Sequence, residues 1–130
     1  MVSRRDFRGF IDKRRVHAAI VAAEHETSAP IHVSLAPYFW GNVRRTAERA
    51  FRRHGLAKAP KRNGVLFFVV PARREFAVVG DADAHAALGQ ATWESVVTQM
   101  QQRFAQGDAT AALVEGIETI GHALAAHFPP

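Results

Sequence analysis

Residues 62–85 read RNGVLFFVVPARREFAVVGDADAH. Residues 65–70 are an unbroken apolar run, VLFFVV, and residues 75–80, EFAVVG, form a second apolar segment. A strand covered on one face alternates apolar and polar residues, whereas a strand covered on both faces is apolar throughout. The first run therefore predicts an inner strand. Pro71-Ala72-Arg73-Arg74 is short enough to be a hairpin connection, so EFAVVG is expected to return beside it antiparallel. The second segment ends in Gly80-Asp81-Ala82-Asp83-Ala84-His85. That end is either a ligand site or a polar loop leading into a helix.

Upstream, Asp12 is a plausible N-cap, and Val16, Ile20, Ala23 and Thr27 recur three or four apart, predicting a helix that ends near Ser28 before Pro30. IHVSLAP (31–37) alternates, with Ile31, Val33 and Leu35 on one side and His32 and Ser34 on the other, as in a strand. NVRRTAERAFRRHG (42–55) predicts a helix capped by Asn42 and stopped by Gly55, with Val43, Ala47, Ala50 and Phe51 inward. Arg45, Arg49, Arg52 and Arg53 fall outside that stripe. Asn63-Gly64 is a turn signal. Downstream, residues 82–89 suit a short helix. Thr92 is expected to cap another, with Trp93, Val96, Val97, Met100 and Phe104 on one face. Asp108 should cap a third, where Leu113, Ile117, Ile120 and Leu124 form an amphipathic stripe. Three strands with helices before, between and after them predict an α/β fold, a three-layer α/β/α sandwich with a small mixed sheet, as one domain over residues 1–130.

Composition limits the chemistry. The chain of 130 residues contains no cysteine, so disulfides, thiolate metal sites and cysteine nucleophiles are excluded. The basic start lacks the apolar core of a signal peptide, and nothing reaches the roughly 18 uninterrupted apolar residues of a membrane span. The expected location is cytoplasmic, with room for an association peripheral to the membrane. Residues 1–74 hold sixteen of the seventeen Lys and Arg but five of the twelve Asp and Glu, a balance of +11, while residues 75–130 carry −6. A basic face attracts phosphates, acidic lipid headgroups or an acidic protein.

Several blocks, AAIVAAEHETSAPIHV (18–33), RNGVLFFVVPARREFAVVGD (62–81), Trp93, QGDATAALVEGIETIG (106–121) and HFPP (127–130), together resemble the TPM domain family, which includes thylakoid-lumen and photosystem II repair phosphatase-like proteins. The chain is most similar to the short bacterial form without membrane anchor. The resemblance implies an α/β/α sandwich. For some relatives it implies acid phosphatase activity or a divalent cation, often calcium, and for others a partner-binding role beside membrane proteins. Asn63, Gly64, Gly80, Asp81, His85 and Asp108 match the family pattern. Pro30 stands where short members carry Glu, and Asp83 and Ala84 replace a Gly and an Ile.

Asp81, Asp83 and Asp108 are the candidate ligands for Ca²⁺ or Mg²⁺, because hard cations take carboxylate oxygens. His85 is the candidate general acid, since imidazole titrates near neutrality. The competing reading makes Asp81 or Asp83 an N-cap and His85 a packed ring. Asp-Ala-Asp after a strand also has the spacing of haloacid dehalogenase-type phosphatases, but no lysine follows Lys61. No Gly-x-Ser-x-Gly elbow, Walker loop or dinucleotide fingerprint occurs. Asn63, Arg45, Arg49, Arg52, Arg73, Arg74 and Trp40 are candidate binding residues, although an aromatic pair such as Phe39-Trp40 is more often core. Nucleic-acid motifs are missing. Two functions follow as expectations. The first is a binding module that docks an acidic or membrane-associated protein partner, with an ion as an optional cofactor. The second is a divalent-cation-assisted phosphomonoesterase acting on a phosphoester substrate.

Overall fold

The computed structural model describes residues 11–130. In chain order the elements are α1 (Lys13–Glu26), β1 (Ile31–Leu35), α2 (Val43–Arg53), β2 (Val65–Val70), β3 (Glu75–Gly80), α3 (Ala82–Leu88), α4 (Gln90–Ala105) and α5 (Ala109–Ala125). Single 3₁₀ turns cover Leu56–Lys58 and Pro71–Arg73.

The sheet has the order β1-β2-β3, so VLFFVV lies in the middle. β1 runs parallel to β2, with Ile31 opposite Val65. β3 is antiparallel, with Val65 opposite Gly80 and Val70 opposite Glu75. All six residues of β2 are buried. Side chains alternate across a strand, so β2 feeds two cores. Val65, Phe67 and Val69 pack with α1, α3, α4 and α5, while Leu66, Phe68 and Val70 pack with α2. This is the expected three-layer α/β/α sandwich, with four helices on one face and a single helix on the other.

The local signals act as the sequence predicts in most places. The Asp12 carboxylate accepts from the Arg14 and Arg15 amides, and Asn42 accepts from the Arg45 amide. Gly55 takes the left-handed conformation past the end of α2, at φ 76°. On α5, Leu113, Ile117, Ile120 and Leu124 are all fully buried. Two boundaries differ. α1 ends at Glu26 rather than near Ser28, because Thr27 turns extended and its hydroxyl donates to the Phe128 carbonyl. α4 begins at Gln90, ahead of the expected Thr92 cap, because Gly89 at φ 83° breaks the chain between α3 and α4.

The hairpin connection also differs from a tight two-residue turn. Pro71–Arg73 makes a 3₁₀ turn, and Arg74 then adopts φ 53° to re-enter β3. The side chain of Arg73 reaches across to the segment after β1, donating to the Phe39 and Gly41 carbonyls at 3.1 and 2.7 Å.

Phe67 is fully buried at the centre of the larger core. Removing its ring leaves a cavity that costs about 3–5 kcal/mol, a large part of the roughly 5–15 kcal/mol that holds a small domain together. Urea denaturation of Phe67→Ala should show this loss. A loss under about 1 kcal/mol would contradict the central placing of β2.

Candidate functional site

Because β3 is antiparallel, its end at Gly80 lies beside the starts of β1 and β2, not their ends. The acid-rich tip and the rim where the parallel pair terminates are therefore at opposite ends of the sheet.

At the tip, every donor at the start of α3 is already used. The Asp81 carboxylate accepts from the Ala82 amide at 2.8 Å. The Asp83 and Ala84 amides donate to the Arg62 carbonyl at 3.0 and 3.3 Å, and the His85 amide donates to Asp81 O at 2.9 Å. Arg62, at φ 49°, presents that carbonyl, and the Asp81 amide is tied to Gly64 O at 2.9 Å. The tip is thus sewn by backbone to the turn preceding β2. Asn63 is 1% exposed, so its side chain lies under this turn and not on the rim. Its amide nitrogen has no hydrogen-bond partner among the described residues. Asp83 points its chain position to solvent in the first turn of α3.

His85 stacks on Trp93 with ring planes 7° apart and centroids 5.6 Å apart. The indole N–H donates to the His85 carbonyl at 3.3 Å. Gly80 makes this packing possible, since a Cβ there would sit 2.7 Å from two indole carbons. The His85–Trp93 stack borders a groove of about 420 Å³ along the outer edge of β3, walled also by Arg44, Val78, Gln90 and Glu94. Arg44 donates to the Val78 carbonyl at 3.4 Å, covering part of that edge.

Asp108 is far from this place. Trp93 near the start of α4 packs on Gly80 at the end of β3, while Phe104 near its end packs on Phe76 at the beginning of β3, with rings 4.9 Å apart. A helix of 16 residues spans about 24 Å at its regular rise. Asp108 follows that helix, and its carboxylate accepts from the Ala111 amide at 3.0 Å as the N-cap of α5. The expected ligands Asp81, Asp83 and Asp108 are not brought together. Among the described residues no group of three or more His, Asp or Glu side chains is placed to hold an ion. The residues present do not fit the three-carboxylate cation site expected of them.

The opposite rim carries the exposed aromatic chemistry. Phe39 is half-buried against Phe68, with centroids 6.2 Å apart, but Trp40 is 88% exposed and meets Tyr38 edge-on at 5.2 Å. The Phe39-Trp40 pair is split between core and solvent. Arg73 lies 5.2 Å from the Phe39 ring centre and 6.0 Å from that of Tyr38. It also pairs with Glu75 at 3.0 Å. Arg73 is consumed as a clamp between the two loops, whereas Arg74 is exposed. A hollow of about 470 Å³ lies between Tyr38 and residues 72–75.

From this rim α2 runs along the second face of the sheet. Arg45, Arg49, Arg52 and Arg53 are exposed. Arg44 pairs with Glu48 at 3.7 Å, but none of the other four forms an ion pair among the described residues. Just past the helix, His54 Nδ1 lies 3.3 Å from His32 Nδ1. Burial, then the neighbouring His32 and Arg53, hold the His54 imidazole below its ordinary pKa. Twenty-two positions separate the two histidines, so no local spacing marks the pair. His32 lies on the sheet face that α2 covers, and the helix, packed over β2 and β3, brings His54 beside it at its end.

A model of the TPM domain matches residues 5–123. The chain belongs to the TPM domain family. Among solved structures it is similar to the BA42 protein of the psychrophilic bacterium Bizionia argentinensis, with 30% identity and a TM-score of 0.84, covering 92% of this chain and 85% of that one. It also shares the fold of the N-terminal domain of the cg2496 protein from Corynebacterium glutamicum, at 18% identity and a TM-score of 0.68, covering 88% and 74% of the two chains. No curated protein shows significant similarity. No helix among the described residues is long and apolar enough to cross a membrane.

The capping geometry makes a test. Asn caps a helix as well as Asp does, so Asp108→Asn and Asp81→Asn should leave thermal stability nearly unchanged, while either Ala variant should cost about 0.5–2 kcal/mol. Asn variants as damaging as Ala would mean that the charge, not the cap, is what these positions supply.

Proposed function

We propose that the chain is an interaction module that docks an acidic segment of a membrane-associated protein, with the arginine stripe of α2 and Trp40 as its contact surface. One observation supports this above the rest. Trp40 stands 88% exposed two residues before the cap of a helix whose Arg45, Arg49 and Arg52 form a solvent-facing row without carboxylate partners among the described residues. Exposed aromatics and arginines are the residue types that dominate binding energy at protein interfaces. The arginines steer an acidic partner in and set its orientation, while the indole supplies the apolar anchor. Membrane association of the partner is taken from the family's partner-binding members.

A cation-assisted phosphomonoesterase has less support. Two of its three expected ligands, Asp81 and Asp108, serve as caps at opposite ends of the sheet, and the α3 amides that would face a phosphate are occupied. His85 retains a groove, but among the described residues no carboxylate cluster stands beside it.

Trp40 is also a reporter, because the other tryptophan, Trp93, is 5% exposed. A synthetic peptide of mixed Asp and Glu with one leucine should change the Trp40 emission on titration, and the affinity should fall as salt rises. Arg45→Glu with Arg49→Glu, and separately Trp40→Ser (followed by a dye on the peptide), should each weaken binding by roughly tenfold or more, equal to about 1.4 kcal/mol. Binding untouched by these changes would overturn the proposal. So would capture by vesicles of anionic lipid with no response to the peptide, which would point to a lipid surface instead.

A further inference from the structure

The structure assigns a second site, independent of the docking surface: His32 and His54 form a two-histidine chelate for a late first-row transition ion of the Zn²⁺ and Cu²⁺ type. Tetrahedral Zn²⁺ holds imidazole nitrogens at about 2.0–2.1 Å, which puts two such ligands about 3.3–3.4 Å apart. His32 Nδ1 and His54 Nδ1 are 3.3 Å apart. They belong to different elements: His32 is held in the ladder of β1 beside Leu66, and His54 is the C-cap of α2, its amide donating to the Ala50 carbonyl at 2.8 Å, so regular structure rather than a flexible loop sets the spacing. Their rings are tilted 57° to each other with centroids 5.5 Å apart. An ion bonded to both nitrogens must lie off the line joining them, which requires a modest turn of each ring about χ2, a soft torsion in histidine.

The donor set selects the metal. Two imidazoles suit Zn²⁺, Cu²⁺ and Ni²⁺, whereas Ca²⁺ and Mg²⁺ require oxygen ligands. No third His, Asp or Glu among the described residues joins the pair. His54 is exposed and His32 half-buried, so the remaining coordination positions face solvent and are open to water or to a donor from another molecule. Arg53 beside His54 adds positive charge that lowers affinity for a dication without removing the chelate. In the absence of metal, one ring donates its Nδ1 proton to the other, and a bound ion takes the place of that shared proton.

The test uses the full chain, labelled with ¹⁵N and titrated with Zn²⁺ at pH 7.5, with affinity read by calorimetry. A single site should saturate at one ion per chain. The Nδ1 signals of His32 and His54 should move, and Ca²⁺ or Mg²⁺ should leave them in place. His32→Gln and His54→Gln should each weaken Zn²⁺ by roughly tenfold or more, since losing even a hydrogen-bond partner of a ligand costs about that much and losing the ligand itself costs no less. His122→Gln, on an exposed ring remote in sequence, should match the wild type. Affinity that survives either substitution at the pair, or Zn²⁺ shifts confined to other histidines, overturns the assignment.

Discussion

The burial of β2 on both faces is the constraint from which the rest follows. A strand with six consecutive apolar side chains cannot leave either face to water, so the chain must supply a cover for each. On one side α1, α3, α4 and α5 build a core around Phe67; on the other, α2 with Leu56 and Phe39 lies over Leu66, Phe68 and Val70. Backbone pairing on both edges of β2 then fixes β1 parallel and β3 antiparallel. That mixed direction sends the end of β3 and the end of β1 to opposite rims, and it determines which polar residues can meet.

The acidic residues illustrate how far topology governs chemistry. Asp81, Asp83 and Asp108 are suitable ligands by type, yet Asp81 and Asp108 each begin a helix and their side chains accept from its first amides. The long helix α4 separates them along the sheet. Their shared role is to satisfy backbone donors that would otherwise lack partners. The positively charged side behaves differently. α2 buries only Val43, Ala47, Ala50 and Phe51, leaving its arginines outward with one nearby carboxylate, Glu48.

Much of this was legible from residues alone, for physical reasons. Asn42, Gly55, Asp12 and Asp108 are local signals whose hydrogen bonds or dihedrals lie within a few positions, and they hold. The stripe of α5 and the run of β2 report burial directly through period. What was not legible depends on contacts between distant segments. The exposure of Trp40 follows from Arg73, which fixes the Phe39–Gly41 backbone across the sheet rim and leaves the indole without a wall. The early start of α4 follows from Gly89, whose positive φ gives no pattern of its own. Asn63, a candidate binding residue by type and position, is covered because Arg62 takes the left-handed turn position and the turn folds over it. The His32–His54 pair needs two elements in register before it exists at all.

The uneven layering has one more consequence. With one eleven-residue helix, helped by Leu56 and Phe39, over one side, the apolar row Leu66, Phe68 and Val70 is guarded by the thinner cover of the two faces. If that helix lifts in a transient opening, a flat, oily ribbon faces other copies of the chain, the usual starting point for aggregation. The arginines on the lid travel with it and keep a dense positive field at the breach. Two opened copies would repel before their ribbons could join, so the same charges that colour the outer surface also act as gatekeepers against self-association.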